Sequence, residues 1–152
     1  MYDDALDEFT GGRRDDLGRL LVDAASAITG QALAELSEQG HPLVRGSHIA
    51  VFSGLEAAGT NISTLADRAG VSRQAMAALV KEVEQIGYVT TRPDPGDRRA
   101  VLVELTGVGA QFCRDAAAVS RRITERWESA LGTRRLETLR AQLRDLGERA
   151  ER

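Results

Sequence analysis

A mainly α-helical chain with one small β-hairpin is the fold class this sequence predicts, and three observations predict it. Apolar residues recur at helical spacing toward both ends of the chain. Between them, Leu65 to Lys81 reads LADRAGVSRQAMAALVK, with a small residue and a glycine where two short helices would cross and turn. Directly after Gly87 the period switches from helical to alternating. Together these describe a winged helix-turn-helix with flanking helices.

The elements follow in order. Residues 1–12 read as a flexible acidic arm, set off by Gly11-Gly12. From about Arg13 to Gln39, Leu17, Leu20, Leu21, Ile28, Leu33 and Leu36 repeat with a helical period and predict one long helix, ended by Gly40-His41-Pro42. Gly30 weakens its middle by about 1 kcal/mol relative to alanine. A second helix is expected from Ser47 to Ala58, burying Ile49, Val51, Phe52 and Leu55, with Gly46 or Ser47 as its cap and Gly59 as its stop. Thr60 or Asn61 caps the next, which buries Ile62, Leu65 and Ala66; Ala66 is small enough for a crossing helix to approach. Gly70 supplies the left-handed turn, and Val71 is expected to plug it. Ser72 is a good N-cap for a helix from Arg73 to about Ile86, with Met76, Leu79 and Val80 inward.

Tyr88 to Arg92 is strand-like, Pro93 to Asp97 is turn chemistry, and Arg98 to Leu105 resumes the alternation, which makes a hairpin wing. Thr106 then caps a helix from Gly107 to Leu131, and after Gly132-Thr133 a last helix carries Leu136, Leu139, Leu143 and Leu146. The long helix shows its own stripe of Phe112, Ala116, Val119, Ile123, Trp127 and Leu131. That is more apolar face than a small head covers, and it marks either an intrachain bundle or an association surface. The chain divides accordingly into the arm (1–12), a dimerisation helix (13–40), a winged lobe (46–105) and C-terminal dimerisation helices (106–152).

Bulk properties exclude several function classes. The 152 residues suit one domain, or one lobe with dimerisation helices, and 42% hydrophobic content with 4% aromatic implies a core of Leu, Val, Ile and Ala. The net charge of -3 counts mildly against nucleic-acid binding. The acids gather, however, in the first sixteen residues, whereas Arg73, Lys81, Arg92, Arg98 and Arg99 gather around the helix pair and wing. No stretch is apolar enough to span a bilayer, no signal-peptide pattern opens the chain, and one cysteine forms no internal disulfide, so a cytoplasmic protein is expected.

A helix-turn-helix of this pattern points to DNA. Arg73 and Gln74 follow the Ser72 cap in an exposed first turn, where a guanidinium forks onto guanine and a carboxamide onto adenine. Contacts to phosphate alone would position the chain without reading sequence. An ordinary helical hairpin also places glycine in its loop. Lys81, two turns on, is equally well a phosphate contact or a plain surface lysine.

The order of elements, with GVSRQAMAALVKEVEQIGYV (Gly70 to Val89) and RPDPGDRRAVLVELT (Arg92 to Thr106), resembles the MarR family of bacterial transcription regulators over roughly residues 17 to 146. The resemblance implies a homodimer on a pseudo-palindromic operator in double-stranded DNA, with the reading helix in the major groove and the wing in the minor groove. It implies operator-facing roles for Ser72, Arg73, Gln74, Ala77 and Lys81. It also makes Arg99 the minor-groove arginine, with Asp97 orienting it and Arg98 beside it. Narrow minor grooves concentrate the negative potential that attracts a guanidinium; a solvated turn with a local ion pair is the ordinary alternative for the three. A repressor released by a small lipophilic or aromatic effector is what the family implies, with the region near His48 as a candidate ligand site. Alanines at 77 and 78 depart from the more polar helix of many relatives. Val44-Arg45-Gly46-Ser47-His48 replaces the usual capping string, which leaves Arg45 as a surface or DNA-facing charge.

Other chemistry finds little support. His41 and His48, with Cys113 remote from both, form no metal-ligand spacing, and no cofactor is expected. His41, beside Pro42, is expected in solvent, and His48 in a local hydrogen bond at a helix start. Neither a phosphate loop nor a nucleophile elbow occurs, which argues against an enzyme. A dimeric protein-interaction module with winged heads, or a thiol-responsive regulator using Cys113, are the alternatives to an effector-released repressor.

Overall fold

In the computed structural model, which describes residue 5, residues 16–97 and residues 100–150, the first long helix, α1, spans Leu17–Glu38. The acidic arm, residue 5 apart, and the expected helical turn from Arg13 lie outside the described residues. Asp16 caps α1, its carboxylate accepting the Arg19 N–H at 2.9 Å. The helix closes where Gly40 takes φ +100° and the His41 N–H turns back to the Leu36 carbonyl at 3.0 Å.

A 3₁₀ turn, Gly46–His48, leads into α2, Ile49–Gly54. This element is shorter than the expected Ser47–Ala58. Two side chains take the Gly54 carbonyl, Arg68 through Nη1 at 2.6 Å and Thr60 through Oγ1 at 3.5 Å, and Leu55 is already extended. Gly54 also sits hard against Leu65, so the close approach of the next helix ends this one. The cap differs as well: neither Gly46 nor Ser47 fills it; Arg45 is the N-cap of the 3₁₀ turn, its backbone N–H donating to His48 Nδ1, and His48 is the N-cap of α2.

Asn61 caps α3, Ile62–Ala69, accepting the Thr64 N–H at 2.8 Å. Gly70 turns at φ +65° as expected, and Ser72 caps α4, Arg73–Gln85, accepting from Ala75. Val71 does not plug the turn. It is 39% exposed, and its backbone instead closes the turn by donating to the Ala66 carbonyl. Leu65, Ala66, Met76, Val80 and Val83 are buried where α3 and α4 cross.

Strands β2, Val89–Pro93, and β3, Val101–Leu105, form the wing hairpin in antiparallel register, Thr91 opposite Val103. A two-residue strand, β1 (Thr60–Asn61), pairs with the far edge of β3. Two residues carry no period, so this third strand has no signature in the sequence. Helix α5, Gly107–Leu131, begins at the Thr106 cap, and α6, Thr133–Ala150, follows Gly132.

The long-helix stripe does not act as one surface. Phe112, Val119 and Ile123 are buried in the chain's own core, and only its far end, at Leu131, is exposed. Glu35 holds α1 to α5 by accepting from Arg126 at 2.5 Å and Arg122 at 3.3 Å, and the Arg126 hydrogen bond keeps its carboxyl below the usual range.

His41 is also misplaced by the sequence reading. Only 6% exposed, it bonds Tyr88 Oη at 2.9 Å and Asp115 Oδ2 at 3.0 Å and stands edge-on to Phe112. Proline marked this loop as irregular, but its histidine is what joins the α1 end to the wing and to α5. Hydrogen bonds from His41, then from Gln111, hold the Asp115 carboxyl below its ordinary range. A depressed carboxyl stabilises the fold above its unfolded value of about 3.9 and ceases to do so as pH falls through the lower folded value. Urea midpoints measured between about pH 5 and pH 3 are therefore expected to fall less steeply for Asp115→Asn than for the wild type.

Candidate nucleic-acid interface

The leading turn of α4 presents Ser72, Arg73 and Gln74, all exposed, because Met76, Val80 and Val83 fix the opposite face in the core. Ser72 spends its hydroxyl on the cap. Ala77, one turn further, is half-buried, and Lys81 is exposed. Among the described residues neither Arg73 nor Lys81 is engaged in an ion pair, so both cations stand open to an anionic partner.

Opposite that turn lies the wing. Its tip is closed by Asp94 N–H donating to the Ala100 carbonyl at 3.0 Å and Ala100 N–H to the Asp97 carbonyl at 2.9 Å. Asp94 also takes the Gly96 N–H, a local turn that Pro95-Gly96 permits. Asp97 is placed at this tip, whereas Arg98 and Arg99 lie outside the described residues. A crevice of about 400 Å³ separates wing from head, lined by Asn61, Ile62 and Ser63 of the α3 start, Arg73, Asp94, Asp97, Ala100 and Val101. Arg73 thus shares one open cleft with the acids of the wing, an arrangement that the spacing in sequence does not reveal.

Two contacts fix the wing to α4. Glu84 accepts both the backbone N–H and the hydroxyl of Thr91, at 2.9 and 2.8 Å, and no sequence signal marks that pair. Arg92, one of the cations gathered around the head, is committed within the chain: Nε meets Glu104 at 2.8 Å and Nη2 reaches the Ala58 carbonyl. Arg45 likewise pairs with Glu82 of α4 while remaining largely exposed.

Away from the head, a second concavity of about 460 Å³ is almost wholly apolar, lined by Leu21, Ala24, Ala27, Ile28, Trp127, Ala130, Leu131, Leu139 and Leu143. Leu17, Leu20 and Val22 on α1 and Leu146 on α6 extend the exposed apolar surface of these helices. Cys113 is half-buried, and burial pushes its thiol up while Arg114 pulls partly against it. A thiol so placed has little thiolate character. Among the described residues no cluster of His, Cys and carboxylates has the arrangement of a metal site, and no helix is long and apolar enough to cross a membrane.

The model of the MarR family matches residues 27–100, which take in the head and the wing up to its tip. A transcriptional regulator of the MarR family from Rhodococcus sp. RHA1 is 25% identical, with 88% of this chain and 94% of that one covered at a TM-score of 0.70. CouR from Rhodococcus jostii RHA1, solved bound to p-coumaroyl-CoA, is 26% identical over 87% of this chain and 92% of its own, with a TM-score of 0.67. PcaV from Streptomyces coelicolor, solved with its natural ligand, shares the fold at 22% identity, a TM-score of 0.68, and coverage of 91% and 94%. No curated protein sequence matches the chain.

Proposed function

We propose that this chain, which belongs to the MarR family, is a homodimeric DNA-binding transcription regulator that reads a pseudo-palindromic operator. The observation that carries this reading is the leading turn of α4: capped, polar and exposed, with Arg73 in no ion pair among the described residues and lining an open cleft beside the wing. In this reading Arg73 and Gln74 face base edges, and Lys81 takes a phosphate. Arg99 enters the minor groove beside Asp97 and Arg98. The apolar surface of α1 and α6 receives the second copy, so that two heads face two half-sites.

Repression, with release by a small lipophilic or aromatic effector, completes the proposal. Support comes from CouR, whose structure holds p-coumaroyl-CoA. An effector lowers operator affinity only by binding more tightly to an arrangement of heads that does not fit DNA. The high thiol of Cys113 disfavours a thiol-responsive regulator.

Binding to a palindromic fragment selected from genomic DNA, measured across a salt series, tests the reading. Affinity is expected to fall steeply with salt, with a slope of about -0.9 for each phosphate neutralised. Salt-independent association would instead favour a protein-interaction module. On that fragment Arg73→Ala is expected to relax preference at one position per half-site by about 1–3 kcal/mol. Arg99→Ala is expected to weaken binding most on narrow-groove flanks, with the dimer intact. Unchanged affinity in both variants would remove these side chains from the interface.

A further inference from the structure

The acidic arm has no part in the function so far, yet its pattern is not that of a plain spacer. Tyr2, Ala5, Leu6 and Phe9 recur at the spacing of one helical face, and Asp3, Asp4, Asp7 and Glu8 fill the rest of the turn. At about 100° per residue, Asp3 and Glu8 border the apolar stripe on either side. Ala5, the described residue of the arm, is helical, and although it falls on the apolar face it is exposed in the single chain.

The body of the chain carries a matching surface. The apolar concavity of about 460 Å³ is walled on α1 from Leu21 to Ile28, with Trp127 and Leu131 of α5 and Leu139 and Leu143 of α6 completing it. Leu21 to Ile28 and Tyr2 to Phe9 each advance seven residues, about 10 Å of helix. At Leu139 the concavity meets a polar cleft lined by Arg134 and Arg135. Both arginines are exposed, and among the described residues neither guanidinium is in an ion pair. No acid lines either hollow. An apolar trough with a cationic rim is complementary to an apolar stripe bordered by carboxylates.

We propose that residues 2–9 of each copy lie as a short amphipathic helix in this concavity of the other, with Leu6 and Phe9 on its apolar floor and the carboxylate border at Arg134 and Arg135. The proposal rests on the homodimer reading given above and names the segment that fills the concavity. Reach permits the exchange. Leu17 lies eight residues beyond Phe9, which is at most about 26 Å of extended chain, against about 10 Å between the axes of packed helices. Gly11-Gly12 lets that stretch bend. In the single chain Ala5 is uncovered and the concavity is open, so at that residue neither covers the other. Exchange of the arms between copies covers both together.

Cross-linking in the full-length chain tests the exchange. Leu6→Cys and Leu139→Cys are introduced together with Cys113→Ser, and a short bis-maleimide joins the two new thiols while tolerating small differences of register. A covalent pair of chains is expected, its bridge mapped by peptide mass to positions 6 and 139. The chain's one tryptophan, Trp127, lines the concavity and reports its cover. In Leu6→Ser/Phe9→Ser the dimer dissociation constant, measured by sedimentation, is expected to rise about tenfold or more. At concentrations where both proteins are still dimers, Trp127 emission is expected to move to the red in the double variant. Added salt is expected to loosen the wild-type dimer more than Arg134→Gln/Arg135→Gln. A 6–139 bridge within one chain, no such bridge at all, or a double variant with unchanged dimer affinity and emission would overturn the proposal. Equal salt dependence would remove the arginine rim from it. A wild type with the mass of one chain at every concentration would sink the dimer reading itself, whereas a dimer lacking the bridge would sink the arm exchange alone.

Discussion

Gly109→Ala is expected to lower the free energy of unfolding by about 3 kcal/mol or more, the largest effect of any single added methyl among the glycines described here. A Cβ at position 109 would stand 1.9 Å from the Tyr88 carbonyl oxygen and 2.9 Å from its carbon. Both atoms are backbone, so no rotamer relieves the overlap. Nor is the strand free to retreat. The Tyr88 carbonyl also accepts the Thr106 N–H at 3.1 Å, and Thr106 Oγ1 donates to the Gly87 carbonyl at 2.6 Å. Moving Tyr88 would also disturb its ring contacts with Phe52, Phe112 and His41. Gly107→Ala is the matched control, with nothing within 4 Å of its Cβ, and is expected to leave stability unchanged or raise it by a few tenths of a kcal/mol. Urea denaturation of both variants decides the matter. A Gly109→Ala midpoint equal to the wild type would mean that α5 does not seat on Tyr88 as described.

That crowding explains why the sequence was legible in some places and silent in others. Elements specified by local chemistry were readable: the caps at Ser72, Asn61 and Thr106, the turn at Gly70, and the alternation of the wing. Each cap meets its partner three residues on, and the wing is marked by alternation within each strand. Features made by contacts distant in the chain were not readable. α2 ends early because Arg68 takes its last carbonyl, His41 is buried because Tyr88 and Asp115 claim its ring, and Arg92 is spent on Glu104. For the candidate site, the exposed turn at Ser72 to Gln74 was readable from its cap, but the wing cleft facing Arg73 and the Glu84–Thr91 clip depend on three-dimensional packing. The stripe on α5 shows the same limit. Helical spacing identified the apolar face but not which end of it the chain itself would cover.

The uncovered end sets the second large expectation: Leu143→Glu separates the proposed dimer and costs about 100-fold or more in operator affinity. Leu143 is 41% exposed in the single chain, so its own core loses little by the change. It lines the apolar concavity between α1, the α5 end and α6, however, and Leu139 and Leu146 continue its row. A carboxylate there would be stripped of water against leucines of the second copy, with no cation among the lining residues to receive it. Two linked heads bind two half-sites with the advantage of a high effective concentration, and a separated head forfeits it. Sedimentation should give the mass of one chain with helical content retained, while Leu143→Met, which conserves shape and polarity, should remain dimeric. A Leu143→Glu protein that stays dimeric would place the association surface elsewhere. A monomer that still binds operator like the wild type would instead show that one head suffices, and the two-fold reading of the operator would fall.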